Sequence, residues 1–131
     1  HLAKQFEADV TALDIDPRVE LLVKLHSDIN NCRVNFSARD LASLDSREIN
    51  SYHTIDGADI CFWDAIVEPV FNLISRSNGP KPPAVLIADP GRPPFWELAE
   101  RCVEAFDAEV ISRNSYIPRR AQTFFLRIEN E

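Results

Sequence analysis

Strand-like and helix-like stretches alternate along this chain until its last quarter. There, two strand-like runs, AEVISRNSYI and AQTFFLRIE, are separated only by Pro118-Arg119-Arg120. Strands joined through helices pair in parallel, since a parallel crossover needs about a dozen residues or more; so short a link permits only an antiparallel hairpin. The order therefore predicts an α/β fold, a doubly wound and mostly parallel sheet that ends in an antiparallel hairpin.

The individual runs carry this reading. HLAKQFEADV has no helix-start signal, and Leu2 with Phe6 at i,i+4 reads as the tail of an amphipathic helix. VTALDI supplies the β-formers Val10, Thr11 and Ile15, and Asp16-Pro17 then offers an N-cap and a first-turn proline. Val19, Leu22, Val23, His26 and Ile29 recur at helical spacing and predict an inner stripe with His26 at the edge of the core. CRVNFSARDL alternates Val34, Phe36 and Ala38, and ADICFW carries Ile60, Phe62 and Trp63 as a third strand, with a polar connection between the two. Val70, Phe71 and Ile74 then repeat at helical spacing until Ser77-Asn78-Gly79-Pro80 stops them. AVLIA reads as a strand buried on both faces, and Phe95, Leu98, Ala99, Cys102, Val103 and Phe106 form the clearest helical stripe.

A chain of 131 residues, 45% hydrophobic, suits a single domain over 1–131 that buries about 65% of its unfolded surface. The formal charge of -7 repels a phosphate backbone and argues against a nucleic-acid partner, leaving protein or small-molecule substrates. Arg113, Arg119 and Arg120 read as a solvated hairpin surface before a binding patch. The three cysteines, Cys32, Cys61 and Cys102, lie far apart in apolar runs, as buried thiols of a reducing, cytoplasmic compartment do. His1, His26 and His53 have no metal-ligand spacing, so no metal is expected. No apolar run approaches the ~20 residues of a membrane span.

At this point the motifs acquire a family likeness. VTALDID is similar to the second strand of the seven-stranded (class I) S-adenosylmethionine-dependent methyltransferases, a Rossmann-like fold, with Asp14 in place of the acid that holds the cofactor ribose. From the residues alone, Asp14 can equally cap the following helix, as Asp16 does. ARDL resembles the segment that receives adenine and puts Asp40 and Leu41 beside the ring, although a surface turn explains Asp40 as well. FWDAI places Asp64 and Trp63 where such enzymes open the reaction site, with plain core burial the alternative for Trp63. ADPGRPPFWELAERC resembles a subgroup that includes protein-lysine methyltransferases; there Pro90-Gly91 suits a type II turn, and Asp89 can pair with Arg92.

The resemblance implies S-adenosyl-L-methionine as cofactor and a protein lysine or small amine as substrate. It also implies a first strand and glycine-rich loop, yet Gly57, Gly79 and Gly91 lie in no such loop. Lacking that central strand, the sheet should keep two unpaired edges, open to an association that fills the gap, and the chain alone should bind cofactor weakly or be inactive. Two other functions fit the same pattern: a non-catalytic Rossmann-like interaction module and, less well, a fragment of an NAD-dependent oxidoreductase, which leaves the terminal hairpin unexplained.

Overall fold

The computed structural model describes residues 2–116 and 121–129, so the expected link Pro118-Arg119-Arg120 lies outside the described residues. The chain forms two compact units, His1–Ser43 and Leu44–Glu131.

In the first unit, α1 (Leu2–Gln5) leads to β1 (Thr11–Asp14), α2 (Val19–Asn30) and β2 (Asn35–Ala38). β1 and β2 pair in parallel, with Asp14 opposite Ala38. Asp16 is not the N-cap but lies two residues before it: its Oδ1 accepts from the Arg18 N–H at 2.9 Å, and the helix starts after that turn. Asn31, in the left-handed conformation (φ 50°), ends α2. The expected buried stripe on α2 is corrected here. No residue of α2 is buried, and Leu22 (57%) and Ile29 (67%) are largely exposed, as are Leu21 and Leu25. A two-stranded sheet is too narrow to cover the apolar arc of a twelve-residue helix.

The polar connection expected after β2 holds a 3₁₀ turn (Leu41–Ser43) at the end of the first unit and a short helix at the start of the second. Helix α3 (Ser46–Ile49) begins at Asp45, whose Oδ1 accepts from the Glu48 N–H at 2.8 Å. Asp45-x-x-Glu48 is the legible capping signal. There follow β3 (Thr54–Ala58), a 3₁₀ turn (Asp64–Ile66), α4 (Val67–Arg76), β4 (Ala84–Asp89), α5 (Pro93–Phe106), β5 (Glu109–Ser115) and β6 (Ala121–Ile128). The strand order is β3-β4-β6-β5: β3 and β4 are parallel, and β6 lies antiparallel between β4 and β5. The expected terminal hairpin is therefore present and inserts its second strand next to β4. Among the described residues, β1 has only β2 as a strand partner and β3 only β4.

Two expectations need correcting in this unit. The third strand is Thr54–Ala58, so only Ala58 of ADICFW belongs to it: Asp59, at φ 61°, turns the chain out of extended geometry, and Ile60 folds back against Gly57. β4 is not buried on both faces; Val85, Ile87 and Asp89 point inward, whereas Leu86 is 37% exposed. The core is built from Val67, Val70, Leu73 and Ile74 of α4, from Phe95, Leu98 and Cys102 of α5, and from Leu126 and Ile128 of β6. Each such large side chain contributes about 1.5–3 kcal/mol of burial. At the rim of the α4–α5 contact, Arg101 pairs with Glu68 at 2.9 Å and stacks over Phe71 at 4.0 Å. Val103, expected in the stripe of α5, is 47% exposed.

Candidate active site

In open sheets of parallel strands, ligands bind at the carboxyl ends of the strands. In the first unit that edge carries Asp14, the last residue of β1, and Asp40, two residues past the end of β2. The Arg39 N–H donates to the Asp14 carbonyl at 2.9 Å and so brings the two strand ends together. Asp14 Oδ1 accepts from the Asp16 N–H at 2.8 Å, which leaves Oδ2 available. Asp40 Oδ1 accepts from the Ala42 N–H at 2.8 Å and thereby shapes the 3₁₀ turn of Leu41–Ser43. Asp40 therefore shapes a surface turn, as its sequence context allowed, whereas Asp14 shapes the turn after β1 and does not cap α2, which starts at Val19.

The clefts of this unit lie elsewhere. One of about 580 Å³ is lined by Lys4, His26, Ser27, Asn30, Cys32 and Val34. Cys32 and Val34 precede β2, so this cleft opens at the amino ends of the strands, away from Asp14 and Asp40.

The second unit has its own carboxyl edge, formed by the ends of β3 and β4. Asp89 ends β4 and is almost wholly buried (1% exposed). Its Oδ1 accepts from the N–H groups of Gly91 at 2.8 Å and Arg92 at 2.9 Å, and its Oδ2 takes the Arg92 guanidinium at 2.8 Å. Gly91, at φ 97°, supplies the positive φ that a type II turn demands, and its missing Cβ leaves room for the Phe124 ring. Arg92 then precedes Pro93, the first residue of α5, where a proline costs no hydrogen bond.

Arg92 reaches further than the expected local pair. Its Nη1 also meets Asp59 at 2.5 Å, and its guanidinium lies 4.1 Å from the centre of the Phe62 ring. The hydrogen bond that Arg92 donates to Asp59 leads the effects that hold Arg92 protonated above the usual arginine range. Phe62 in turn touches Trp63, ring centres 5.6 Å apart. Trp63 is 73% exposed, which corrects the core alternative, and Asp64 begins the 3₁₀ turn as an exposed carboxylate.

Asp59 and Phe62 were not singled out from the sequence. An aspartate and an aromatic within four residues past a strand end were the only available signals. Trp96 is a further member of this edge, its indole N–H donating to the Gly91 carbonyl at 3.1 Å and its ring packed edge-on against Phe124. No group of three or more metal-ligating side chains occurs among the described residues, and none of their helices is long and apolar enough to cross a membrane.

By sequence, no family model and no curated protein matches this chain. By structure, it is similar to a methyltransferase from Pyrococcus furiosus, with a TM-score of 0.65 at 14% identity over 96% of this chain. It is likewise similar to the tRNA (uracil-54, C5)-methyltransferase of Pyrococcus abyssi, solved with S-adenosyl-L-homocysteine, with a TM-score of 0.56 at 13% identity over 95% of this chain. A third likeness is to a SAM-dependent O-methyltransferase of Thermotoga maritima, with a TM-score of 0.55 at 13% identity over 97% of this chain. The chain spans 66%, 29% and 52% of the lengths of these three proteins. At such identities the likeness establishes the fold alone, a Rossmann-like α/β architecture with an antiparallel terminal hairpin.

Proposed function

We propose that this chain is part of an S-adenosyl-L-methionine-dependent methyltransferase that modifies a protein lysine or a small amine. The observation that carries the proposal is β6 lying antiparallel between β4 and β5, with acidic residues at the carboxyl ends of the parallel strands. The acid after the first parallel strand is shared with dinucleotide-binding dehydrogenases, but the inserted hairpin is not accounted for by an NAD-dependent oxidoreductase.

The residues suit the nucleoside end of the cofactor. Asp14, with one oxygen available, accepts from the ribose hydroxyls through charge-assisted hydrogen bonds. Asp40 accepts from the adenine amino group, and Leu41 borders the ring. The methionine end finds no glycine cradle among the described residues, because Gly57 packs against Ile60 and Ile87, Gly79 against Asn50, and Gly91 against Phe124. When bound, the cofactor supplies a sulfonium methyl group open to in-line attack. Asp64 orients the incoming amine and receives its proton, and Trp63 shields the reacting centre from water. Asp89 and Arg92 form the turn beside them. The net charge of -7 favours a cationic substrate over a nucleic acid, and the edges of β1 and β3 that have no strand partner among the described residues suit a strand from a partner segment.

Labelled S-adenosylmethionine incubated with the full-length protein and a cell lysate tests the reading. Transfer of the methyl group to protein lysines or to small amines is expected and should disappear in Asp64→Asn. A folded protein that transfers nothing in its full-length form would instead be a non-catalytic interaction module.

A further inference from the structure

We infer that Asp59, Phe62 and Arg92 form a latch that positions Trp63 and Asp64, an inference that rests on the reaction-side role proposed for those two residues. Arg92 stands on the buried Asp89, 2.8 Å away, and from that anchor reaches across to the turn after β3 at two points, the Asp59 carboxylate at 2.5 Å and the Phe62 ring at 4.1 Å. The same turn is held at its start by the Asp59 N–H, which donates to the Ala88 carbonyl at 2.8 Å. Its far end carries Trp63 and Asp64, which follow Phe62 directly. A guanidinium suits this task because Nη1, with two N–H donors, meets both carboxylates while the planar face lies over the aromatic ring, a stacking geometry that a lysine ammonium lacks.

The two carboxylates have different duties. Asp89 is buried and also fastens the Gly91–Arg92 backbone, so it supports folding. The Asp59 side chain is 61% exposed, and an ion pair so placed adds little to stability. Its effect is on where Arg92 points, and hence on whether Phe62 and the two residues after it keep one position.

Asp59→Asn and Phe62→Leu, in the whole protein, test the latch by two independent readouts. With 5-fluorotryptophan incorporated, Trp63 and Trp96 give one ¹⁹F resonance each, assigned by Trp63→Phe. The Trp63 resonance is expected to shift and broaden in both variants, while circular dichroism and the melting temperature stay near those of the parent. Methyl transfer is expected to fall about tenfold in kcat with the cofactor Kd unchanged, and Asp59→Glu should restore most of it. A Trp63 resonance identical to the parent's in both variants would overturn the latch, whatever the activity. A displaced resonance in a protein whose parent transfers no methyl group would uphold the latch and refute the proposed reaction.

Discussion

The Asp89 carboxylate, almost wholly buried, pairs with the Arg92 guanidinium three residues on at 2.8 Å while accepting from the backbone N–H groups of Gly91 and Arg92. One side chain thus closes the turn between β4 and α5 and compensates the charge above it. Burying a carboxylate is costly unless its lone pairs are filled, and here both oxygens are used.

Asp89→Ala should therefore be among the most damaging single changes in the chain. It strands two N–H groups and removes the buried counter-charge, at a cost of about 3–5 kcal/mol. Urea unfolding should show the midpoint falling accordingly, and a loss under 1 kcal/mol would mean that water replaces the carboxylate.

Gly91→Ala meets two obstacles at once, a backbone at φ 97° and a Phe124 ring atom 2.8 Å from the added Cβ. The expected destabilisation is about 2–4 kcal/mol, the sum of backbone strain and overpacking. Gly91→Ala combined with Phe124→Leu should recover the packing part only. Full recovery in thermal unfolding would show that the backbone conformation costs nothing.

The buried thiols make stability fall in alkali. Burial pushes Cys61 up to about 11, helped by the negative charge of Asp89 and opposed by Arg92, and burial pushes Cys102 to about 11. An unfolded thiol titrates near 9.0, so the folded state holds more protons between the two values. The contribution is complete below about pH 9 and is lost as pH rises through about 11, on the order of 2 kcal/mol for each thiol. Unfolding at stepped pH should show this decline, and Cys102→Ala should make it shallower. An equally steep decline in that variant would assign the effect to other groups.

Asp14→Asn separates binding from folding. An asparagine Oδ1 can still accept from the Asp16 N–H, so the local turn survives, while the charge proposed to hold the ribose is gone. Cofactor affinity of the full-length protein should weaken by about 1–3 kcal/mol in a calorimetric titration. Unchanged affinity would restrict Asp14 to shaping the turn.

The sequence by itself determined the element order, since periods of two and 3.6 with Pro and Gly stops are local properties: β1, β2, α4, β4, α5 and both hairpin strands lie where the pattern put them. It also determined the Asp89-Pro90-Gly91-Arg92 turn, because a positive φ and an i,i+3 ion pair are set within four residues. Tertiary structure alone decided which apolar residues are covered. Helical spacing marks an apolar face on α2 and on α5 alike, but α2 packs on β2 whereas α5 packs on both α4 and β5, and so Leu22 and Ile29 stay exposed while Leu98 and Cys102 are buried. It also decided the end of β3, where Ile60 and Phe62 look like strand residues until Asp59 turns the chain. The latch of Asp59 to Arg92 spans 33 residues, and no local pattern encodes it, because it exists only once β3 and β4 lie side by side.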